Sequence, residues 1–188
     1  MRAHVLIPVK RLDTAKTRLA SVLAAGERAA LMRELVEGVV AAARDAGVER
    51  ITLVTAEPLE LPGVGRFDDT GLPWNDALEA AMRAVVTEPI ATVVSADLPL
   101  LRAEEVRGLV HATPARGLAI ARATDGGTNA VSMRPPAALP TCFGRPGSAR
   151  VHAELAQAAG LEHVVVDLPG LAFDLDTPED LERLRAAA

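Results

Sequence analysis

The sequence predicts an α/β fold, a mostly parallel sheet with helices on both faces, built as a single domain over residues 1–188. Three observations carry this. Short, nearly all-apolar runs alternate with longer amphipathic stretches along almost the whole chain, the pattern of a parallel sheet joined by right-handed helical crossovers. The 188 residues, 49% of them hydrophobic and only 24% charged, suffice for one substantial core and argue against disorder. No repeat, low-complexity linker or shift of composition divides the chain.

Ala3-His4-Val5-Leu6-Ile7-Pro8-Val9 reads as a buried first strand. Immediately after it come the only two lysines in the chain, Lys10 and Lys16, beside Arg11 and Arg18; every other cation is an arginine. Ligands of open α/β sheets sit outside the carboxyl ends of the strands, so this loop is placed to hold anionic oxygens, for which compact ammonium donors are suited. A basic turn that only aids solubility is the plainer alternative.

Glu27 to Ala46 carries Ala30, Leu31, Leu35, Val39 and Val40 at helical spacing, with Gly47 as a C-cap. Arg50 to Thr55 is a second strand and Val64 to Asp68 a short third, leading through Gly71 into a helix from Trp74 to Val86 that ends before Pro89. Ile90 to Ala96 is another buried strand and delivers Asp97-Leu98-Pro99 before a helix over Glu104 to His111. Strands over Gly117 to Arg122 and Asn129 to Met133 flank a glycine turn at Thr124 to Thr128. A proline-rich crossing reaches Phe143-Gly144-Arg145-Pro146-Gly147-Ser148, from which a helix runs to Ala159. Glu162 to Leu168 is the last strand. Asp176-Thr177-Pro178-Glu179-Asp180 then opens a terminal helix with a cap residue, proline in the first turn and early acids.

Composition removes several classes of partner. With no tyrosine, one tryptophan and a net charge of −5, neither a stacking platform nor an electrostatic footprint for nucleic acid exists. Cys142 is the sole cysteine, which precludes an intramolecular disulfide or a multi-cysteine zinc site and suits a reducing cytoplasm. No apolar run has the length of a membrane helix, and the first strand lacks the features of a signal peptide, so no membrane partner is expected.

Several constellations remain that could carry chemistry. Asp97, at the end of an apolar strand, is either the cap of the following helix or a magnesium ligand of the kind that bridges substrate phosphates. Phe173-Asp174-Leu175-Asp176 places two carboxylates on one side of an extended segment; Asp176 could instead cap the last helix, whereas Asp174 between apolar neighbours calls for a cation or donors. Gly126-Gly127-Thr128-Asn129 and Gly144 to Ser148 each combine glycine-permitted backbone approach with a hydroxyl, and Ser148 sits at a helix start. Ordinary loops with Ser148 as N-cap are the alternative there. Asn75 could read a base edge or merely cap its helix. His152 reads as a packing or surface histidine and Cys142 as inert, since neither has an evident activating partner. With no G-x-G-x-x-G and no Walker motif, the set matches nucleotidyl transfer, in which the protein supplies positioning, metal and charge.

On Pro8-Val9-Lys10 with Ala15-Lys16-Thr17-Arg18-Leu19, Ser95-Ala96-Asp97-Leu98-Pro99, Gly126 to Asn129, Phe143 to Ser148, and Phe173 to Leu181, taken in order, the chain resembles the 2-phospho-L-lactate and phosphoenolpyruvate guanylyltransferase family of coenzyme F-420 biosynthesis. The resemblance implies a nucleotide-diphospho-sugar transferase-like (GT-A-like) fold. It implies GTP and a phosphorylated three-carbon acid as substrates, magnesium as cofactor and pyrophosphate as product; between the two acceptors, the alanine- and arginine-rich composition, a mark of GC-rich coding, favours phosphoenolpyruvate. By the same matching Lys10, Lys16 and Arg18 face the triphosphate, with Lys16 and Asp97 at the centre of the chemistry. Asp97, Asp174 and Asp176 hold metal; Thr128, Gly144 or Gly147, and Ser148 contact the acceptor. The Gly144 to Ser148 loop is one residue longer than the family's tighter form, which leaves the choice of glycine open. Another nucleotidyltransferase, acting on a molybdenum cofactor or sugar phosphate, and a catalytically silent nucleotide-binding module are the rival readings. A homodimer is compatible with the sequence but not indicated by it.

Overall fold

The strands fall in the order β3-β2-β1-β4-β6-β5-β7 in one seven-stranded sheet. Their ranges are β1 His4–Pro8, β2 Arg50–Val54, β3 Gly65–Phe67, β4 Ala91–Val94, β5 Gly117–Arg122, β6 Thr128–Arg134 and β7 Glu162–Val166. The computed structural model describes residues 2–12 and 14–187; Met1, Asp13 and Ala188 lie outside the described residues. Strands β1, β4, β6 and β5 fill the middle and are the most continuously buried, as strands covered on both faces must be. The outer strands β3 and β7 are the most exposed, with Val164 and Val165 open to solvent.

All strands run one way except β6, which is antiparallel to both β4 and β5. This reversal puts the amino end of β6 at the same sheet edge as the carboxyl ends of β1 and β4. Helices cover both faces, and the pleat divides the core accordingly. Val5 and Ile7 of β1 pack with α1 (Ala25–Asp45) and α3 (Ala103–Ala112) through Val36, Val39, Val106 and Leu109. Leu6 points the other way, onto α2 (Trp74–Ala84) and α4 (Ser148–Ala158) through Leu78, Met82 and Ala156. No described helix is long and apolar enough to cross a membrane.

The elements expected from periodicity are present, with ends moved by no more than two residues, most visibly where the chain turns to form a site. Strand β4 stops at Val94, so Ser95 to Asp97 leave the sheet and enter the cleft described below. Two features escape periodicity because they are too short to show it: a 3₁₀ turn at Thr17–Leu19 and the helical turn α5, Pro169–Ala172. The latter takes Leu168 from the expected last strand. It packs so closely on α3 that a side chain at Gly170 would strike Glu105, whose carboxylate instead accepts the Gly170 N–H at 2.6 Å and the Arg102 N–H at 3.0 Å. The terminal helix α6 spans Pro178–Ala187.

Candidate active site

A cleft of about 580 Å³ opens at the edge where β1, β4 and the start of β6 meet. One wall is the basic loop, including Lys10 and Lys16 to Arg18. The opposite wall is Thr128 with Phe143 to Pro146 and Ser148, and Asp97, Asp174 and Asp176 lie between. Nearly all the residues that the sequence singled out therefore share one cavity.

Lys16 is its electrostatic centre. The ammonium donates to Asp97 Oδ2 at 2.6 Å and to Asp176 Oδ1 at 2.7 Å, and its side chain is only 5% exposed. Burial pulls the amine's pKa down, but the charges and hydrogen bonds of Asp97 and Asp176 outweigh that and leave it above the ordinary lysine value. The backbone of Lys16 is left-handed, φ 53° and ψ 39°, an uncommon conformation for a residue with a side chain. Surrounding structure holds it there. The 3₁₀ turn that follows buries Leu19 against Leu35 of α1, Leu175 and Leu181 of α6, and Glu57 accepts the Leu12 N–H at 3.3 Å. The same leucine cluster fixes Leu175, whose N–H also donates to the Asp97 carbonyl at 3.0 Å, so both aspartates and Lys16 rest on one support.

The terminal helix does not need Asp176 as its cap. Thr177 and Asp180 cap reciprocally: Asp180 Oδ2 accepts the Thr177 N–H at 2.9 Å, and Thr177 Oγ1 accepts the Asp180 N–H at 3.3 Å. Asp176 is thereby released to pair with Lys16 and, at 3.4 Å, with the exposed Arg18. Asp97 likewise caps nothing; Arg102 is the N-cap of α3. Asp174 receives Asn129 Nδ2 at 3.2 Å, yet its pKa is raised, first by burial and then by the charges of Asp97 and Asp176. Two carboxylates thus hold the buried ammonium, and a third, Asp174, stands near both of them. Among the described residues no group of three or more His, Cys, Asp and Glu side chains is arranged to enclose a metal, and between Asp97 and Asp176 stands Lys16.

A bulge aims the opposite wall. Ala121 pairs with Ala130 but Arg122 pairs with Thr128, so Asn129 is one residue in excess and the alternation of β6 inverts there. Ser132 and Ala130 face the α1 and α3 side. Regular alternation would send Thr128 the same way. Instead Thr128 turns toward α4, where its hydroxyl lies 2.9 Å from Ser148 Oγ and 3.1 Å from His152 Nδ1. Asn129 is turned toward Asp174. All three of Thr128, Ser148 and His152 are buried.

Other expected residues take different positions. Gly147, not Ser148, is the N-cap of α4; Ser148 is the first helical residue, and its N–H is used by the Arg145 carbonyl. Gly144 and Gly147 are both left-handed, φ 74° and 66°, but only Gly144 lines the cleft. Asn75 is corrected from base reader to bracket: Nδ2 donates to the Phe143 carbonyl at 3.1 Å and Oδ1 accepts the Phe143 N–H at 2.9 Å, so both ends of its amide are spent on holding the Phe143 loop. Lys10 sits over the Trp74 ring, 4.9 Å from its centroid. His152 and Asn129 are the residues sequence reasoning undervalued; a histidine four residues beyond Ser148, hence on the same helical face, was the available signal.

His152 is fully buried, and burial lowers its pKa to about 4. Because the unfolded imidazole titrates near 6.5, protonation favours unfolding as the pH falls from about 6.5 to about 4, by up to ~3 kcal/mol. The thermal midpoint is expected to fall across that interval in the wild type and to fall less steeply in His152→Gln. Parallel curves would show that His152 does not govern the slope.

Comparison with known proteins defines the class first. A solved structure from Desulfovibrio desulfuricans, assigned as a nucleotide-diphospho-sugar transferase, superposes with a TM-score of 0.80 at 22% identity, covering 97% of this chain and 86% of that one, which establishes the fold. The chain belongs to the guanylyl transferase CofC-like family, whose model matches residues 3–185. It is 38% identical to a phosphoenolpyruvate guanylyltransferase from Rubrobacter xylanophilus, over 100% of this chain and 95% of the relative. It is also 38% identical to a 2-phospho-L-lactate guanylyltransferase from Haloarcula marismortui, over 95% of this chain and 83% of the relative.

Proposed function

We propose that the protein transfers GMP from GTP to the phosphate of a phosphorylated three-carbon acid, in coenzyme F-420 biosynthesis, and that phosphoenolpyruvate is the acceptor. The observation that carries this is the placement of the carboxylate group and Lys16 between a lysine-bearing loop and a hydroxyl-lined wall within one cleft. Support for the acceptor comes from the Rubrobacter relative; the equal identity to the Haloarcula enzyme makes 2-phospho-L-lactate the second candidate.

In this reading the triphosphate lies along the basic loop, against Lys10, Lys16 and Arg18, and the acceptor lies against Thr128, Gly144 and Ser148. An oxygen of the acceptor phosphate attacks the α-phosphorus of GTP, the bond to the bridging oxygen of the β-phosphate breaks, and pyrophosphate leaves. The attacking oxygen is already anionic, so no general base is required. What the protein must supply is charge and alignment, because two anions have to be brought together. Lys16 moves from its carboxylate partners toward the leaving pyrophosphate as phosphates enter, and Arg18, 72% exposed, closes from solvent.

The donor set suits magnesium: hard carboxylate oxygens in excess over the one buried cation, with Asp174 pushed toward protonation first by burial and then by the charges of Asp97 and Asp176. Asp97 and Asp174, with Asp176 once Lys16 releases it, would hold the ion. Bound there, magnesium would neutralise phosphate charge and polarise the α-phosphorus.

The test is pyrophosphate release from GTP with phosphoenolpyruvate, 2-phospho-L-lactate and a panel of sugar phosphates. The expected result is turnover with phosphoenolpyruvate and little with sugar phosphates. Preference for a sugar phosphate would overturn the acceptor assignment, and absence of any nucleotide use would reduce the protein to a binding module.

A further inference from the structure

We infer that His152 is a positioning residue that sets the direction of a hydroxyl chain, His152 to Thr128 to Ser148, so that Ser148 presents a proton to the acceptor's anionic group. The inference rests on the reading above that this wall receives the acceptor.

The direction follows from one backbone group. The Cys142 N–H, which can only donate, lies 3.1 Å from His152 Nε2, so that nitrogen must be the acceptor. A neutral imidazole carries one proton, which is therefore on Nδ1, and burial keeps the ring neutral at physiological pH. Nδ1–H is shared between Thr128 Oγ1 at 3.1 Å and the Ser148 carbonyl one turn back on α4. Thr128 in turn has its own hydroxyl proton to give, and Ser148 Oγ stands 2.9 Å away; the separation alone leaves the donor of that pair free, and the sense Thr128 to Ser148 is the inferred step. Ser148, having accepted, keeps a proton with no acceptor among the hydrogen bonds of the described residues; the residue is 0% exposed and lies just behind the cleft wall beside Gly144 and Arg145, so the acceptor meets it only by displacing that thin cover.

The opposite tautomer would reverse every link. Ser148 would donate to Thr128, Thr128 to Nδ1, and the cleft would meet lone pairs that repel an oxyanion. The geometry around the ring opposes that reversal: the Cys142 amide fixes one end, and the Phe143 ring packs against the imidazole in a T-shape at 5.4 Å between centroids. His152 never needs to touch substrate. Its effect is to turn two hydroxyls of otherwise free sense into a one-way donor.

Two measurements test this. Long-range 1H–15N correlation spectra of the imidazole in the unliganded protein are expected to show His152 protonated at Nδ1 alone; protonation at Nε2, or a mixture, overturns the inference. The second compares two variants that each keep one half of the ring's bonding. His152→Asn retains a donor toward Thr128, whereas His152→Gln retains an acceptor for the Cys142 amide. If the donor sense matters, His152→Gln raises the KM for phosphoenolpyruvate by about tenfold and His152→Asn by less than about threefold, with the KM for GTP unchanged in both. If His152 merely holds the Cys142 loop, the order is reversed and the inference fails. Thermal midpoints identify a variant that does not fold, in which case the spectra decide. Should wild-type protein not use a phospho-acid at all, the proposed function fails, while the spectra still decide the direction of the chain.

Discussion

Asp97→Asn is expected to lower turnover by roughly three orders of magnitude while the protein folds normally. The side chain is 25% exposed and contributes charge to the cleft, whereas its structural role is played by the backbone: the Asp97 carbonyl accepts the Leu175 N–H at 3.0 Å, a bond the substitution leaves in place. Lys16 keeps Asp176 as partner, so no buried charge is stranded. Stability should therefore change by no more than ~1 kcal/mol. Steady-state pyrophosphate release, read beside thermal melting, checks both halves. Retention of more than about a tenth of wild-type turnover at saturating magnesium would remove Asp97 from the chemistry.

Lys16→Met should be nearly as damaging to activity but, unlike Asp97→Asn, should also be felt in the folded state. The substitution keeps the length of the side chain and deletes the one buried cation paired with Asp97 and Asp176. With the carboxylates partly exposed, the lost pairing is expected to cost ~1–2 kcal/mol. GTP affinity should fall about a hundredfold, since the triphosphate loses its least solvated donor, with the acceptor's KM little changed. Magnesium without nucleotide should raise the thermal midpoint of Lys16→Met by more than that of wild type, because the divalent ion then enters a carboxylate cluster no longer occupied by an ammonium. Equal shifts in the two proteins would mean that lysine and metal do not share a site.

Much of this was legible in the sequence, for reasons that can be stated residue by residue. The strands of the middle of the sheet announce themselves as unbroken apolar runs. The position of Asp97 at the end of one such run, and of Lys10 and Lys16 at the end of another, needs only the rule that ligands gather at carboxyl ends of strands. Asp174, an acid between apolar neighbours, stands out in the sequence as calling for a cation or donors, whereas Asp176 reads equally well as a helix cap. What could not be read was relative orientation at single-residue resolution. Nothing in Gly127-Thr128-Asn129 declares a bulge, yet the bulge decides which of Thr128 and Asn129 reaches α4 and which reaches Asp174. Asn75 misled because a side-chain amide at a helix start can serve a ligand or a backbone equally well, and only tertiary distance reveals the Phe143 main chain beside it. His152 was undervalued because a neutral histidine acts through the bonds on its two nitrogens, and both partners are supplied by other parts of the chain.

The leucine cluster beneath Lys16 joins segments that lie more than a hundred residues apart: Leu19 after the basic loop, Leu35 on the first helix, and Leu175 and Leu181 near the other end of the chain. The loop is short of regular structure of its own, so its rigidity is borrowed. The closing helix acts as a tether for the opening loop, and the precision with which the basic loop is held at the cleft is limited by how firmly α6 stays docked. Cutting the chain before Pro178 would leave every cleft-lining residue in place and still slacken the loop that carries Lys16.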